Sequence, residues 1–270
     1  MKAIVITTPG DVEVLRLQEV EDPQIEDDEV LIKVEATYPP PRGASPYPGL
    51  EYSGTIEATG KLVSRWKVGD HPNSYQTVSF AFDSLVHVQV CALLSGGGYA
   101  EKVAVSAGQV LPVPSGISIK EAAAFPEVAC TVWSTIFMTS RLSAGVHGGS
   151  SGIGTFAIQI AKTRGVKVFV TAGNEEKLVV CKELGADVFI NYRAEDFVAR
   201  VKEETSGKAS GLRMSPENKA EIVNEVEKNV WPAVVAGRVK PVVHKQCPLS
   251  SEAHWLIESS QHIGKILLIP

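Results

Sequence analysis

The chain has 270 residues, 44% hydrophobic and 21% charged, an ordinary globular composition with length enough for two modest domains and a substantial buried core. A net charge of −5 leaves no basic footprint for nucleic acid or an anionic membrane, and the longest apolar runs fall well short of the ~20 residues of a membrane span. The apolar part of Met1–Thr7 is too short for a signal peptide, and four scattered cysteines (Cys91, Cys130, Cys181, Cys247) suggest neither a disulfide framework nor a zinc cluster, so a reducing, cytoplasmic setting is expected.

Residues 1–37 read as all-β. Strands are expected at Lys2–Thr7, at Val12–Val20 and at Glu29–Ala36, the last with clear in-out alternation. The prolines of Tyr38-Pro39-Pro40-Pro41 forbid regular structure, and Pro48–Gly60 reads as a strand framed by glycines. His71–Val88 mixes turn residues with an apolar run and shows no sustained period, which reads as a surface excursion. Strands return on either side of Gly96-Gly97-Gly98, and Ile119–Met138 is largely helical with a break near Pro126.

Gly148-Gly149-Ser150-Ser151-Gly152-Ile153-Gly154 is a glycine-rich turn running straight into an apolar helix, Thr155–Lys162, and then a strand, Val166–Thr171. Such a turn presents unpaired backbone N–H groups and the positive end of a helix dipole to an anion, the physics of a pyrophosphate site. Helix (Glu175–Leu184), strand (Val188–Tyr192) and helix (Glu195–Thr205) follow, a pattern that argues a parallel sheet. Ser206–Met214 is polar and holds no further strand. Ser215-Pro216 opens a helix towards Ala236 bent near Pro232, and strand, helix and strand are expected at Pro241–Lys245, Ser250–Ser259 and Ile263–Ile269.

Six stretches carry a family likeness: Ser150–Gly154, Thr171-Ala172-Gly173, Gly49–Gly54, Val68-Gly69-Asp70, Gly97–Glu101 and His262–Ile266. Together they resemble the zinc-independent quinone oxidoreductases of the medium-chain dehydrogenase/reductase superfamily, and within them the p53-inducible type. The resemblance implies an α/β protein: a GroES-like β domain at 1–125, with 71–88 as an atypical insert, a Rossmann-type NADP-binding domain at 126–240, and a C-terminal segment, 241–270, returning to the β domain. Four departures stand out. An Asn-Arg-x-Asp segment after Thr37 is missing, residues 71–88 are extra, the strand before the glycine turn is almost gone, and several dozen residues that would complete the Rossmann sheet are absent between about Ala209 and Leu212. Whole segments lost or gained are the pattern of a splice variant or an imperfect gene model, and they leave the Rossmann domain truncated.

The resemblance also implies site residues. Gly149, Ser150, Ser151, Gly152 and Ile153 form the pyrophosphate turn, with Thr131 and Lys265 as further cofactor contacts. The strand after the turn ends in Gly173-Asn174 with no carboxylate to meet a ribose hydroxyl, and Lys177 and Tyr192 match the positions that hold a 2′-phosphate, so NADPH is the expected cofactor. Tyr38 and Ser151 match the hydroxyls facing the substrate, where either can hydrogen-bond a developing oxyanion. Read without the resemblance, Lys177 is a solvated helix lysine, Tyr192 a strand-end aromatic, Thr131 a helix-packing residue, Tyr38 a turn tyrosine on prolines and Ser151 a helix cap. The expected activity is hydride transfer from NADPH to a quinone, with an enoyl or alkenal reductase and a non-catalytic truncated isoform as alternatives. Small-molecule substrate, no metal and a homodimer complete the expectation.

Overall fold

The structure, a computed structural model, describes residues 1–6, 14–38, 48–68, 88–140, 145–204, 219–249 and 252–270. In chain order the elements are β1 (Lys2–Val5), β2 (Arg16–Glu19), β3 (Glu29–Thr37), β4 (Glu51–Thr59), β5 (Gln89–Leu93), β6 (Lys102–Ser106), β7 (Val110–Pro112), α1 (Ile119–Ala122) and α2 (Pro126–Val132). There follow β8 (Gly145–His147), α3 (Gly152–Thr163), β9 (Phe169–Ala172), α4 (Glu175–Glu183), β10 (Val188–Asn191), α5 (Phe197–Glu204), α6 (Lys219–Asn229), α7 (Trp231–Val235), β11 (Val243–Pro248), α8 (Glu252–Glu258) and β12 (Lys265–Ile269). Two compact units result: a β unit of residues 1–127, 245–261 and 266–270, and an α/β unit of residues 128–244 and 262–265.

In the β unit, β1 and β2 form an antiparallel pair, and seven strands make one larger sheet in the order β11-β12-β3-β4-β5-β7, with β6 on β3. The alternation along β3 puts Val30, Ile32 and Val34 into a core with Tyr52, Ile56, Val90, Val103, Val105 and Val110. A second apolar cluster joins Ile4, Tyr99, Cys247, Ala253, Ile266 and Leu268, so that β12 and α8 are held to this unit by burial. Glu51 is fully buried: its Oε2 accepts the Glu127 amide at 2.7 Å, and its backbone carbonyl accepts the Thr37 hydroxyl at 2.7 Å. A carboxyl group taken out of water needs such a donor. A capping box starts α1, where the Ser118 side chain accepts from the Glu121 amide and the Glu121 carboxylate from the Ser118 amide.

In the α/β unit, β8, α3, β9, α4 and β10 alternate, and the strands are parallel in the order β10-β9-β8. Every side chain of α3 from Thr155 to Ala161 is buried, in keeping with its apolar sequence. Gln159 on this helix clamps the backbone of Lys240 twice, accepting its amide at 2.9 Å and donating to its carbonyl at 3.0 Å. The bend expected near Pro232 is a break: α6 ends at Asn229 and α7 restarts with Pro232 in its first turn, where a missing N–H costs nothing.

Three differences from the sequence expectation have local causes. A strand does form ahead of the glycine turn, though only three residues long, because β9 offers it a parallel partner from Phe169 to Thr171. The strand expected at Val166–Thr171 is Phe169–Ala172, since the Gly165 turn still engages Val166, whose amide donates to the Ala161 carbonyl. The expected long helix to Met138 changes to π-helical turns over Trp133–Ser140. There the hydroxyls of Ser134 and Thr135 both bond back to the Thr131 carbonyl, at 3.2 and 2.6 Å, a competition that distorts α-helical pairing. The insert up to residue 87, the start of the helix at Ser215-Pro216 and the break near Ala209–Leu212 lie outside the described residues, as does the part of Val68-Gly69-Asp70 beyond Val68, whereas Val88 is buried in the β-unit core.

Candidate functional site

The glycine turn is pinned to β9. The Gly149 amide donates to the Thr171 carbonyl at 2.9 Å and the Gly148 amide to the Thr171 hydroxyl at 3.3 Å. Ser151 then caps α3: its hydroxyl accepts the Gly154 amide at 3.0 Å and its carbonyl the Thr155 amide at 2.9 Å. Helix geometry leaves the amides of Gly152 and Ile153 without an intrahelical acceptor, and no acidic residue lies in the first turn to absorb the dipole. In α4, by contrast, Glu175 and Glu176 occupy the first turn.

Close packing explains the turn's residues. A Cβ on Gly154 would lie 2.4 Å from the Gly148 carbonyl oxygen, so only glycine lets α3 start this near the turn. Gly148 has φ +72°, and a Cβ there would meet nothing within 4 Å among the described residues, which leave this side of the turn open. Gly149 sits over Val170 and the Cys181 sulfur, and burial pushes the Cys181 thiol up to about 11, which makes it inert packing. Ser150 is buried while Ser151 and Ile153 are exposed.

Lys265 closes the turn from the other side. The Gly264 amide donates to the Ser150 carbonyl at 2.9 Å, the Lys265 amide to the Val242 carbonyl at 2.8 Å, and Ser151 and Gly264 form a parallel bridge. The lysine is 3% exposed, and its methylenes lie where a Cβ of Gly152 would be, Cδ at 2.8 Å. This contact joins residues more than a hundred positions apart.

A second cluster forms at the C-terminal end of β9. A Cβ on Gly173 would lie 2.7 Å from the Tyr192 hydroxyl and 3.4 Å from Arg193 Nε, so both side chains fold back over the strand end. Asn174 caps α4 by accepting the Lys177 amide at 2.9 Å, placing half-buried Lys177 one turn in. Asn191 accepts the Arg193 amide at 3.1 Å and donates to Glu175 at 3.0 Å. Arg193 and Asn191 are not among the sequence candidates. The signal for Arg193 was its place directly after Tyr192 at a strand end.

The structure thus gathers Gly149, Ser150, Ser151, Gly152, Ile153 and Lys265 at one end of α3, and Gly173, Lys177 and Tyr192 at the end of β9. Thr131 lies at the end of α2 in the same unit, half-buried, its carbonyl taken by Ser134 and Thr135. Tyr38 belongs to the β unit, half-buried beyond β3, with its amide 3.4 Å from the Glu51 carbonyl. Its neighbour Tyr99 is held well above its ordinary pKa, first by burial and then by Tyr38. The two candidate hydroxyls, Tyr38 and Ser151, fall in different units. Among the described residues no group of three or more His, Cys, Asp and Glu is placed to hold a metal ion, and no helix is long and apolar enough to cross a membrane.

A GroES-like β unit in one chain with a βαβαβ unit that has a glycine turn at its first helix defines the architecture of a nucleotide-dependent dehydrogenase or reductase. Comparison with known proteins agrees. Residues 26–115 match the family model described as alcohol dehydrogenase GroES-like domain, and residues 152–213 match that described as zinc-binding dehydrogenase. The quinone oxidoreductase of Mus musculus is 32% identical over 230 residues, covering 78% of this chain and 64% of that protein. An alcohol dehydrogenase of Geobacillus stearothermophilus is 28% identical, covering 72% and 65%. The chain therefore spans about two thirds or slightly less of the length of these curated relatives. An Escherichia coli quinone oxidoreductase solved as a complex with NADPH shares the fold with a TM-score of 0.80 at 22% identity, covering 100% of both chains. CurK enoyl reductase does so with a TM-score of 0.77 at 18% identity, covering 99% of this chain and 98% of its own. The chain belongs to the medium-chain dehydrogenase/reductase superfamily and is quinone oxidoreductase-like within it.

Proposed function

We propose that this protein is an NADPH-dependent quinone reductase. The observation that carries the reading is the capped glycine turn opening α3, with an open outer side, no first-turn acid and Lys265 laid across Gly152. These features fit a pyrophosphate, and the cluster around Gly173, with Lys177 and no carboxylate directly after the strand, fits a phosphorylated ribose. The similar quinone oxidoreductases and the E. coli enzyme's complex with NADPH support the same choice.

Bound NADPH would supply the hydride that the acceptor takes up. The chain's own residues have the remaining tasks. The amides of Gly152 and Ile153, with Gly149 and Ser150 shaping the turn, hold the pyrophosphate, and Lys265 walls it. Lys177 and Tyr192 hold the 2′-phosphate, and Thr131 contacts the nicotinamide. Ser151 accepts the cap bond through its oxygen and keeps its proton to donate, so capping and a hydrogen bond to a developing oxyanion are compatible. Tyr38 is the second such donor. Assembly as a homodimer and residence in the cytoplasm belong to the same reading, and the four cysteines, all buried and none in a disulfide, fit a reducing compartment.

The test is NADPH oxidation, followed by the loss of the reduced nicotinamide's absorbance, with 1,4-benzoquinone and with a simple enone as acceptors. Faster turnover of the quinone supports the reading, and faster turnover of the enone assigns an enoyl or alkenal reductase. No oxidation with either, despite NADPH binding, assigns the non-catalytic alternative.

A further inference from the structure

The Arg193 side chain does something its sequence position does not require. It follows a strand end, is exposed, and has open solvent available, yet its Nε lies 3.4 Å from where a Cβ of Gly173 would be. Two features of the surroundings favour an anion at this point. The Arg193 backbone is tied to Asn191, whose amide group simultaneously engages the Glu175 carboxylate, the acid on the first turn of α4. Among the described residues the Arg193 guanidinium has no ion-pair partner, while Lys177 brings a second positive charge on the first turn of α4. Arg193 and the Tyr192 hydroxyl thus lie at the end of β9, with a restrained carboxylate and Lys177 on the first turn of α4. The planar fork of arginine matches a phosphate with two parallel hydrogen bonds, which a lysine cannot do.

We infer that Arg193 is the residue that makes this protein discriminate a 2′-phosphorylated nucleotide from an unphosphorylated one, clamping the phosphate together with Lys177 while Asn191 positions it. The inference rests on the dinucleotide reading above and adds to it a specificity-determining residue. Asn191 acts through Arg193 and Glu175. Its loss frees the Glu175 carboxylate to approach the same phosphate.

The probes are 2′,5′-ADP and 5′-AMP, titrated calorimetrically into the full chain. Wild-type protein should bind 2′,5′-ADP more tightly than 5′-AMP, and the preference should shrink as salt rises because the site is exposed. Arg193→Ala should weaken 2′,5′-ADP by about tenfold and leave 5′-AMP within about twofold, the size of one partly exposed charge-assisted pair. Arg193→Lys should recover part of the loss, and Asn191→Ala should lower the preference by a smaller factor. An unchanged melting temperature for the Arg193 variants shows that folding is not the cause. Equal losses for both nucleotides, or no loss for either, overturn the role of Arg193 while leaving the dinucleotide site standing. Wild-type protein that binds neither nucleotide overturns both.

Discussion

In the β unit, β3 is hydrogen-bonded along nearly its whole length, to β6 on one flank and to β4 on the other, and seven strands share one sheet. In the α/β unit the described sheet has three strands, and β8, which carries the chain into the glycine turn, has three residues. Both units nevertheless hold their key residues by backbone contacts. Glu51 fixes the amide of Glu127 in one, and Thr171 fixes Gly148 and Gly149 in the other. The difference teaches that a binding turn can be defined locally by its neighbour strand and its helix cap, while the stability of the sheet beneath depends on strands farther away.

The largest expected consequence is unequal stability. Native-state hydrogen exchange should show β3 and β4 amides protected about 100-fold more than those of β8 to β10, in line with the spread of local opening energies. Equal protection would erase the contrast. Next in size is Gly154→Val, which forces a side chain against the Gly148 carbonyl and should destabilise the α/β unit by about 3 kcal/mol while abolishing nucleotide binding. The β-unit transition in a thermal scan should not move. Ser151→Ala removes the cap and should cost about 1 kcal/mol in urea denaturation. Ser151→Asn keeps the cap, so turnover restored along with stability would reduce Ser151 to a cap, and turnover still lost would support its hydrogen bond to the acceptor.

The smallest effect concerns pH and the β unit. His254 accepts or donates a 3.1 Å hydrogen bond with the buried Tyr99 hydroxyl, and its pKa is lowered below the ordinary 6.5, chiefly by burial, with Glu258 opposing. A histidine held neutral by folding contributes its full share above its unfolded value and loses it as pH falls from 6.5 towards the lowered folded value. The β-unit melting temperature should therefore drop modestly across that window, and His254→Gln should flatten the drop. A profile unchanged by the substitution would place the pH dependence elsewhere.

Much of this was legible in the sequence, and the reasons are specific. The alternation of Val30, Ile32 and Val34 announced β3, because a strand buried on one face must repeat every second residue. The glycine turn followed by an apolar helix announced α3. What could not be read depends on distant partners. Three residues from Gly145 become a strand only because β9 lies beside them, and the π-helical turns after Val132 follow from where two hydroxyls find a carbonyl. That Lys265 lies on Gly152 is a matter of the chain's return, although both residues stood among the candidates. Arg193 directly follows Tyr192, but a strand-end arginine ordinarily points to water, so that signal gained weight only with the fold.

The central claim is that the α/β unit, whose described sheet has three strands, still binds its nucleotide. Calorimetric titration of the full chain with NADPH, paired with a thermal scan, tests it most directly. The account predicts saturable binding of one NADPH per chain and an upward shift confined to the lower transition, because a ligand that binds only the folded unit stabilises it by mass action. Absence of binding heat, together with an unmoved lower transition, would contradict it.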